Sequence, residues 1–244
     1  MKPLIVTGWT DLGFRPAADQ PKCLSRDQFA KFRDGILEAV GEKNVCVFWD
    51  FPYDKLWVPR EFDLAALKPD TPTPMDRFTG SWQHLRCNAW QHERTTFAMA
   101  AAKDYPEYDV MIWLDIGILK QGAWLNNCVT KERIKRFFDR VANTPGEMNC
   151  IPFPGITATK ENVYSGNNSW RFVGSTHIWP VKYLTDIHLH YKGMLRVWVA
   201  RYKTLPLDLP IWALTEQISN LPFKWYPAEY DASQLDNYPM GDVS

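Results

Sequence analysis

The stretch Tyr108–Leu119, YDVMIWLDIGIL, holds an unbroken apolar run from Val110 to Leu114. Its residues suit a pleated surface covered on both faces, so the run predicts a central strand of an α/β sheet. Asp115 ends the run and Gly117 follows two residues later. A lone carboxylate there lies at the carboxyl end of the strand, on the rim where open α/β sheets bind ligands. Asp and Gly are also ordinary turn residues, and on the stretch alone both readings stand.

Working outward, Leu4–Thr7 reads as a first buried strand ending at Gly8. Ser25 with Gln28 three residues later forms a capping box. Phe29, Phe32, Ile36, Leu37 and Val40 then follow at helical spacing up to Gly41. Val45–Trp49 is a second strand, which makes the opening β-α-β and its two strands parallel. Residues 52–80 are rich in Pro and Asp without a period, and a long irregular loop of this kind is usually functional.

Ser81–Lys103 predicts one helix leading into the central strand. Thr130 caps another that carries Ile134, Phe137, Phe138 and Val141. Asn149–Phe153 reads as a short strand, Pro180–Lys203 as a long helix, and Pro210 as the opening of the last helix. Phe223–Tyr226 is a final strand before an irregular tail. With no repeat and no linker, the expectation is a single domain over 1–244, an α/β fold with a mostly parallel central sheet flanked by helices.

Composition narrows the function. Twenty-eight basic and 28 acidic residues balance, which removes the general electrostatic argument for nucleic-acid binding and leaves only a local patch. Twelve tryptophans are many for 244 residues; Trp lines sugar and base clefts, but most are assigned to the core. Cys23, Cys46, Cys87, Cys128 and Cys150 are odd in number and form no zinc or redox pattern, so reduced thiols and a cytoplasmic location are expected. No apolar run approaches the ~20 residues of a membrane helix.

Three constellations carry chemistry. Ile5–Arg15, IVTGWTDLGFR, is a strand running into a polar loop with Gly8, Gly13 and Arg15; it is neither a Walker loop nor a G-x-G-x-x-G turn. In the helix 81–103, Arg86, Trp90 and Arg94 recur four apart, so two guanidiniums share a face and can fork onto a diphosphate. In Trp212–Gln217, WALTEQ, Glu216 follows Trp212 by one turn, which puts a carboxylate and an indole along one cleft. A plain loop, a solvated helix face and a dipole-favouring Glu are the competing readings.

In this order the pieces resemble glycosyltransferases of the GT-A fold, and within them the HtrL/YibB-type bacterial proteins. The carriers are Val6-Thr7-Gly8-Trp9-Thr10-Asp11-Leu12-Gly13 with Arg15, Trp90–Arg94, Trp113-Leu114-Asp115-Ile116-Gly117 and Glu216-Gln217. The resemblance implies transfer from a nucleotide-sugar donor, a UDP-sugar foremost, to a hydroxyl of a saccharide, lipid-linked glycan, protein or hydroxymethylated DNA base. It places Thr7, Gly8, Trp9 and Arg15 on the nucleotide and Arg86 and Arg94 on the phosphates. Gly174 and His177, around Phe172-Val173-Gly174-Ser175, fall by the donor sugar. Trp212 and Gln217 fall by the acceptor, with Glu216 as acceptor contact or base. Asp115 would hold Mn²⁺ or Mg²⁺, or the donor ribose. The sequence departs from the family's D-x-D, having Gly117 in place of the second Asp. Metal-independent transfer therefore stays open, as does a catalytically silent glycan-binding relative; a nucleotidyltransferase would need a second carboxylate beside Asp115, and the sequence shows none.

Overall fold

In a computed structural model of the chain, residues 1–10, 26–69, 81–120, 127–156 and 171–239 are described, without side chains at 68, 69, 81–84 and 120. In chain order the elements are β1 (Pro3–Trp9), α1 (Arg26–Val40), β2 (Val45–Trp49), α2 (Trp57–Glu61), β3 (Lys68–Pro69), α3 (Ser81–Gln91), α4 (Arg94–Asp104) and β4 (Val110–Leu114). They continue with α5 (Lys131–Ala142), β5 (Ile151–Gly155), β6 (Thr176–Pro180), α6 (Val181–Tyr202), β7 (Thr204–Leu205), α7 (Asp208–Ile218), β8 (Phe223–Pro227) and α8 (Ser233–Asp236).

The central sheet has the order β2-β1-β4-β6. β1 pairs parallel with both β2 and β4, and β6 runs antiparallel to β4 on the far side. Side chains alternate across a strand, so each strand serves two cores. Leu4, Val6, Met111, Trp113 and Trp179 face α4, α6 and α7. Ile5, Val110, Ile112, Leu114 and Ile178 face α1 and α5. Every residue of β4 is buried, as the run Val110–Leu114 predicts. A parallel pair of β5 with β8 and a short pair of β3 with β7 complete the pairing among the described residues.

Local chemistry explains several boundaries. Gly41 stops α1 at φ +84°, a backbone angle that other residues adopt only with strain. The Thr130 hydroxyl accepts from the backbone N–H of Arg133 at 3.3 Å, and Ile134, Phe137, Phe138 and Val141 bury the apolar stripe of α5. Truncating Phe137 to Ala would cost about 3–5 kcal/mol. Pro180 both ends β6 and opens α6, and Lys203 closes α6 in the left-handed region. The capping box involves Ser25, which lies outside the described residues.

The helix expected over 81–103 is in fact two, α3 and α4, broken at His92 and Glu93. Neither Pro nor Gly is present; the break comes from distant partners. Lys192 Nζ donates to the His92 carbonyl at 2.7 Å, and Glu93 Oε1 accepts the Val58 N–H at 2.8 Å. His92, held neutral by burial with its pKa lowered to about 3, donates from Nε2 to the Pro206 carbonyl and accepts the Tyr191 hydroxyl at Nδ1. Three further expectations shift. The strand at 149–153 is Ile151–Gly155, the last helix opens at Asp208 rather than Pro210, and Thr176–Pro180 is an unforeseen strand. The tail after Asp231 contains the short α8.

Candidate functional site

The strand order turns at β1. The chain steps from β1 to β2 on one side, then places β4 on the other. Such a switch point leaves a crevice outside the carboxyl ends of the two diverging strands, where open α/β sheets bind ligands. Gly8 and Trp9 end β1 at this crevice, and Asp115 follows β4.

Asp115 is held by two donors. Trp113 Nε1–H donates to Oδ1 at 2.8 Å, and Arg94 Nη2 lies 3.2 Å from Oδ1 and 3.3 Å from Oδ2. Arg94 comes from the first residue of α4, and the helix break aims it at the rim. Its Nη1 pairs closely with Asp208, from the first turn of α7. The side chains of Arg94 and Asp208 are 6% and 3% exposed, against 32% for Asp115. The cluster is thus buried at one end and open at the other. Burial opposes the Arg94 charge, and the two carboxylates outweigh it to leave the pKa raised. Burial pushes the Asp208 carboxyl up to about 6 against the pull of Arg94, with Asp115 adding to the rise.

The loop before β6 closes the cluster. A Cβ on Gly174 would sit 3.2 Å from Arg94 Nη1 and 3.3 Å from Asp208 Oδ1, so a side chain here would crowd the pair. His177 Nε2–H donates to the Gly174 carbonyl at 3.0 Å, and burial, with Arg94 nearby, keeps the ring neutral. The Tyr230 hydroxyl is hydrogen-bonded to the backbone of Gly174. Gln234 Oε1 accepts both the Ser175 and the Thr176 hydroxyl at 2.8 Å, which ties the C-terminal segment to the same loop.

The sequence-expected residues divide. Asp115, Arg94, Gly174 and His177 are brought together. Gly8 shares their face, against Trp90, but Thr7 and Trp9 face the other side, where Trp9 stacks on Trp49 at 5.0 Å and meets Phe29 of α1. Arg15 lies outside the described residues. Arg86 lies over the Tyr53 ring at 4.5 Å, and with the helix broken it no longer shares one helical face with Arg94.

Glu216 is buried and takes Arg171 with both oxygens, at 2.7 and 2.9 Å. Trp212 is 1% exposed, packed among Tyr191, His177, Phe153 and Trp179, while Gln217 is exposed. His177 is likewise fully buried. Asp208 was missed; its signal was a lone carboxylate in the apolar run Leu205-Pro206-Leu207-Asp208-Leu209-Pro210.

Among the described residues no three or more His, Cys, Asp or Glu side chains gather to enclose a metal. A single-carboxylate site does fit Mn²⁺ or Mg²⁺. Asp115 is one-third exposed, and the formal charges of Asp115, Asp208 and Arg94 leave one net negative. Such ions commonly take one or two carboxylates and complete their shell with phosphate oxygens and water.

The chain matches no protein-family model and no curated protein. Among solved structures it is similar to a glycosyltransferase involved in the glycosylation of the major capsid of PBCV-1, with 9% identity over 93% of this chain and 82% of that one, at a TM-score of 0.48. It is also similar to a cytidylyltransferase from Leptospira borgpetersenii serovar Hardjo-bovis (strain JB197), with 13% identity over 95% and 78%, at a TM-score of 0.43. Likenesses this distant carry no residue role, activity or substrate over to this chain. No described helix is long and apolar enough to cross a membrane.

Proposed function

We propose that the chain is a transferase that uses a nucleotide-linked donor and, more finely, a GT-A-like glycosyltransferase related to the HtrL/YibB-type proteins. It would move a sugar from a UDP-sugar to a hydroxyl of a glycan or a modified base. The observation that carries this reading is the position of Asp115: a partly exposed carboxylate after the carboxyl end of β4, beside the switch in strand order at β1 and held by Arg94 and Trp113.

In this reading Gly8 lets the donor approach the end of β1 closely and Arg15 belongs to the nucleotide side, while Thr7 and Trp9, turned toward α1, would support the end of β1 from behind. Asp115 would hold Mn²⁺ or Mg²⁺, which when bound neutralises charge developing on the leaving diphosphate. Arg94 acts on Asp115 rather than on phosphate, since both its terminal nitrogens are committed to carboxylates. Gly174 and the loop beside it would line the donor sugar. Glu216 would have to abandon Arg171 to serve as base, so the acceptor proton is assigned to no residue. Trp212 supports α7 from within, leaving Gln217 as the acceptor-side candidate.

A catalytically silent glycan-binding relative is the second reading, favoured by Gly117 in place of a second Asp. A thermal-shift panel of nucleotide diphosphates and nucleotide sugars, each with Mn²⁺ and with EDTA, separates the two, because a ligand of the folded state raises the midpoint by mass action. The proposal expects a Mn²⁺-dependent rise with one nucleotide, lost in Asp115→Ala. No rise with any nucleotide, together with a rise on adding oligosaccharides, would favour the silent module.

A further inference from the structure

Asp115 is one-third exposed on its outer side and fixed on its inner side. The inner side is made by Trp113 and Arg94, and Arg94 in turn is fixed by Asp208. Asp208 is 2% exposed, far too buried to meet a donor, and its link to Asp115 among the described residues runs through the Arg94 guanidinium. An arginine fork with a carboxylate on each terminal nitrogen cannot turn without stranding a buried charge, which is costly. Gly174 closes the remaining space around the pair. His177, the other titratable group within 4.0 Å of Asp208 in an ion-pair sense, is held neutral and spends Nε2 on Gly174.

We propose that Asp208 is a positioning residue for Asp115: through Arg94 it fixes the carboxylate in the orientation that faces the crevice. The chain thereby recovers, from the start of α7, a second carboxylate that the D-x-G of Asp115 and Gly117 lacks. Its place is behind the site instead of beside the ligand. The inference rests on the proposed function only in naming Asp115 as the group offered to the donor. The arrangement of the three side chains is independent of it.

The test reads the Trp113 indole N–H, whose hydrogen bond to Asp115 makes it a local reporter. In ¹⁵N-labelled full-length protein its indole cross-peak is identified by its loss in Trp113→Phe. In Asp208→Ala the cross-peak should shift and broaden as Asp115 samples more than one rotamer. Affinity for UDP with Mn²⁺ should fall about 10- to 100-fold, as for the loss of an outer-shell partner. If that variant fails to fold, Asp208→Asn, which keeps one acceptor and drops the charge, should shift the peak the same way by less. A wild-type cross-peak position in the folded variant overturns the inference, whatever happens to nucleotide binding. A shifted peak in a protein whose wild type binds no nucleotide leaves the positioning role standing and sinks the donor site instead.

Discussion

Two charge clusters lie on the same side of the central sheet, and they are built differently. At the helix break, Lys192 and Glu93 form a closed knot: side chains 3% and 1% exposed, 3.7 Å apart, with the ammonium also on the His92 carbonyl and over the Trp57 ring at 4.2 Å. At the rim, two carboxylates share one guanidinium, and one of them opens to solvent. The knot balances its charges and joins α4 to α6, so it is architecture. Among the described residues the rim cluster is left one negative charge out of balance at its open end, which is a poor way to stabilise a fold and a suitable way to hold a cation. The Arg171–Glu216 pair, both side chains 5% exposed, belongs with the knot.

The comparison can be broken most sharply at the closed pairs. Lys192→Met strands Glu93 in the core and should cost about 3–5 kcal/mol in urea unfolding, with nucleotide affinity of the folded fraction unchanged. Glu216→Gln leaves the Arg171 charge buried and should cost a comparable amount, about 3 kcal/mol or more. Any activity it loses should follow the loss of folded protein; a stable Glu216→Gln protein without turnover would return Glu216 to the role of base. Next in size, Gly174→Ala presses a methyl on Arg94 and Asp208 and should cost about 1–3 kcal/mol, read as a lowered melting midpoint.

The acid range tests the imbalance itself. The Asp208 carboxyl, raised to about 6 by burial, binds its proton more tightly in the folded than in the unfolded chain. Its contribution to stability is therefore fully present below the ordinary carboxylate range and is lost as pH rises through about 6. Wild type should gain on Asp208→Asn as pH falls from 7 to 4, measured by urea midpoints. A difference that does not change with pH would mean that the carboxyl titrates normally. The smallest stability effect belongs to the open end: Asp115→Asn should change the unfolding free energy measured in urea by no more than about 1 kcal/mol, while removing the nucleotide response.

What could be read from sequence was whatever depends on neighbours along the chain. The buried run Val110–Leu114, the opening β-α-β, the Thr130 cap and the Gly41 stop all rest on local period and local backbone chemistry. The break between α3 and α4 rests on Lys192, a hundred residues away, reaching the His92 carbonyl. Nothing within 81–103 announces it. The same break gives Arg94 its place, so the single helical face that the spacing of Arg86 and Arg94 implies is absent. Asp115 was legible because a charge ending an apolar strand stands out. Asp208 was not, because a carboxylate ahead of Pro210 reads as an ordinary helix start. Glu216 stood out for its position in α7, and only the fold reveals Arg171 as its partner.

The most direct measurement is a crystal structure of the protein soaked with UDP and Mn²⁺. The account predicts a diphosphate at the carboxyl ends of β1 and β4, with the ion on Asp115 and Arg94 still bridging Asp115 to Asp208. A nucleotide bound elsewhere, or one seated in the crevice with Arg94 turned from the carboxylates onto its phosphates, would contradict it.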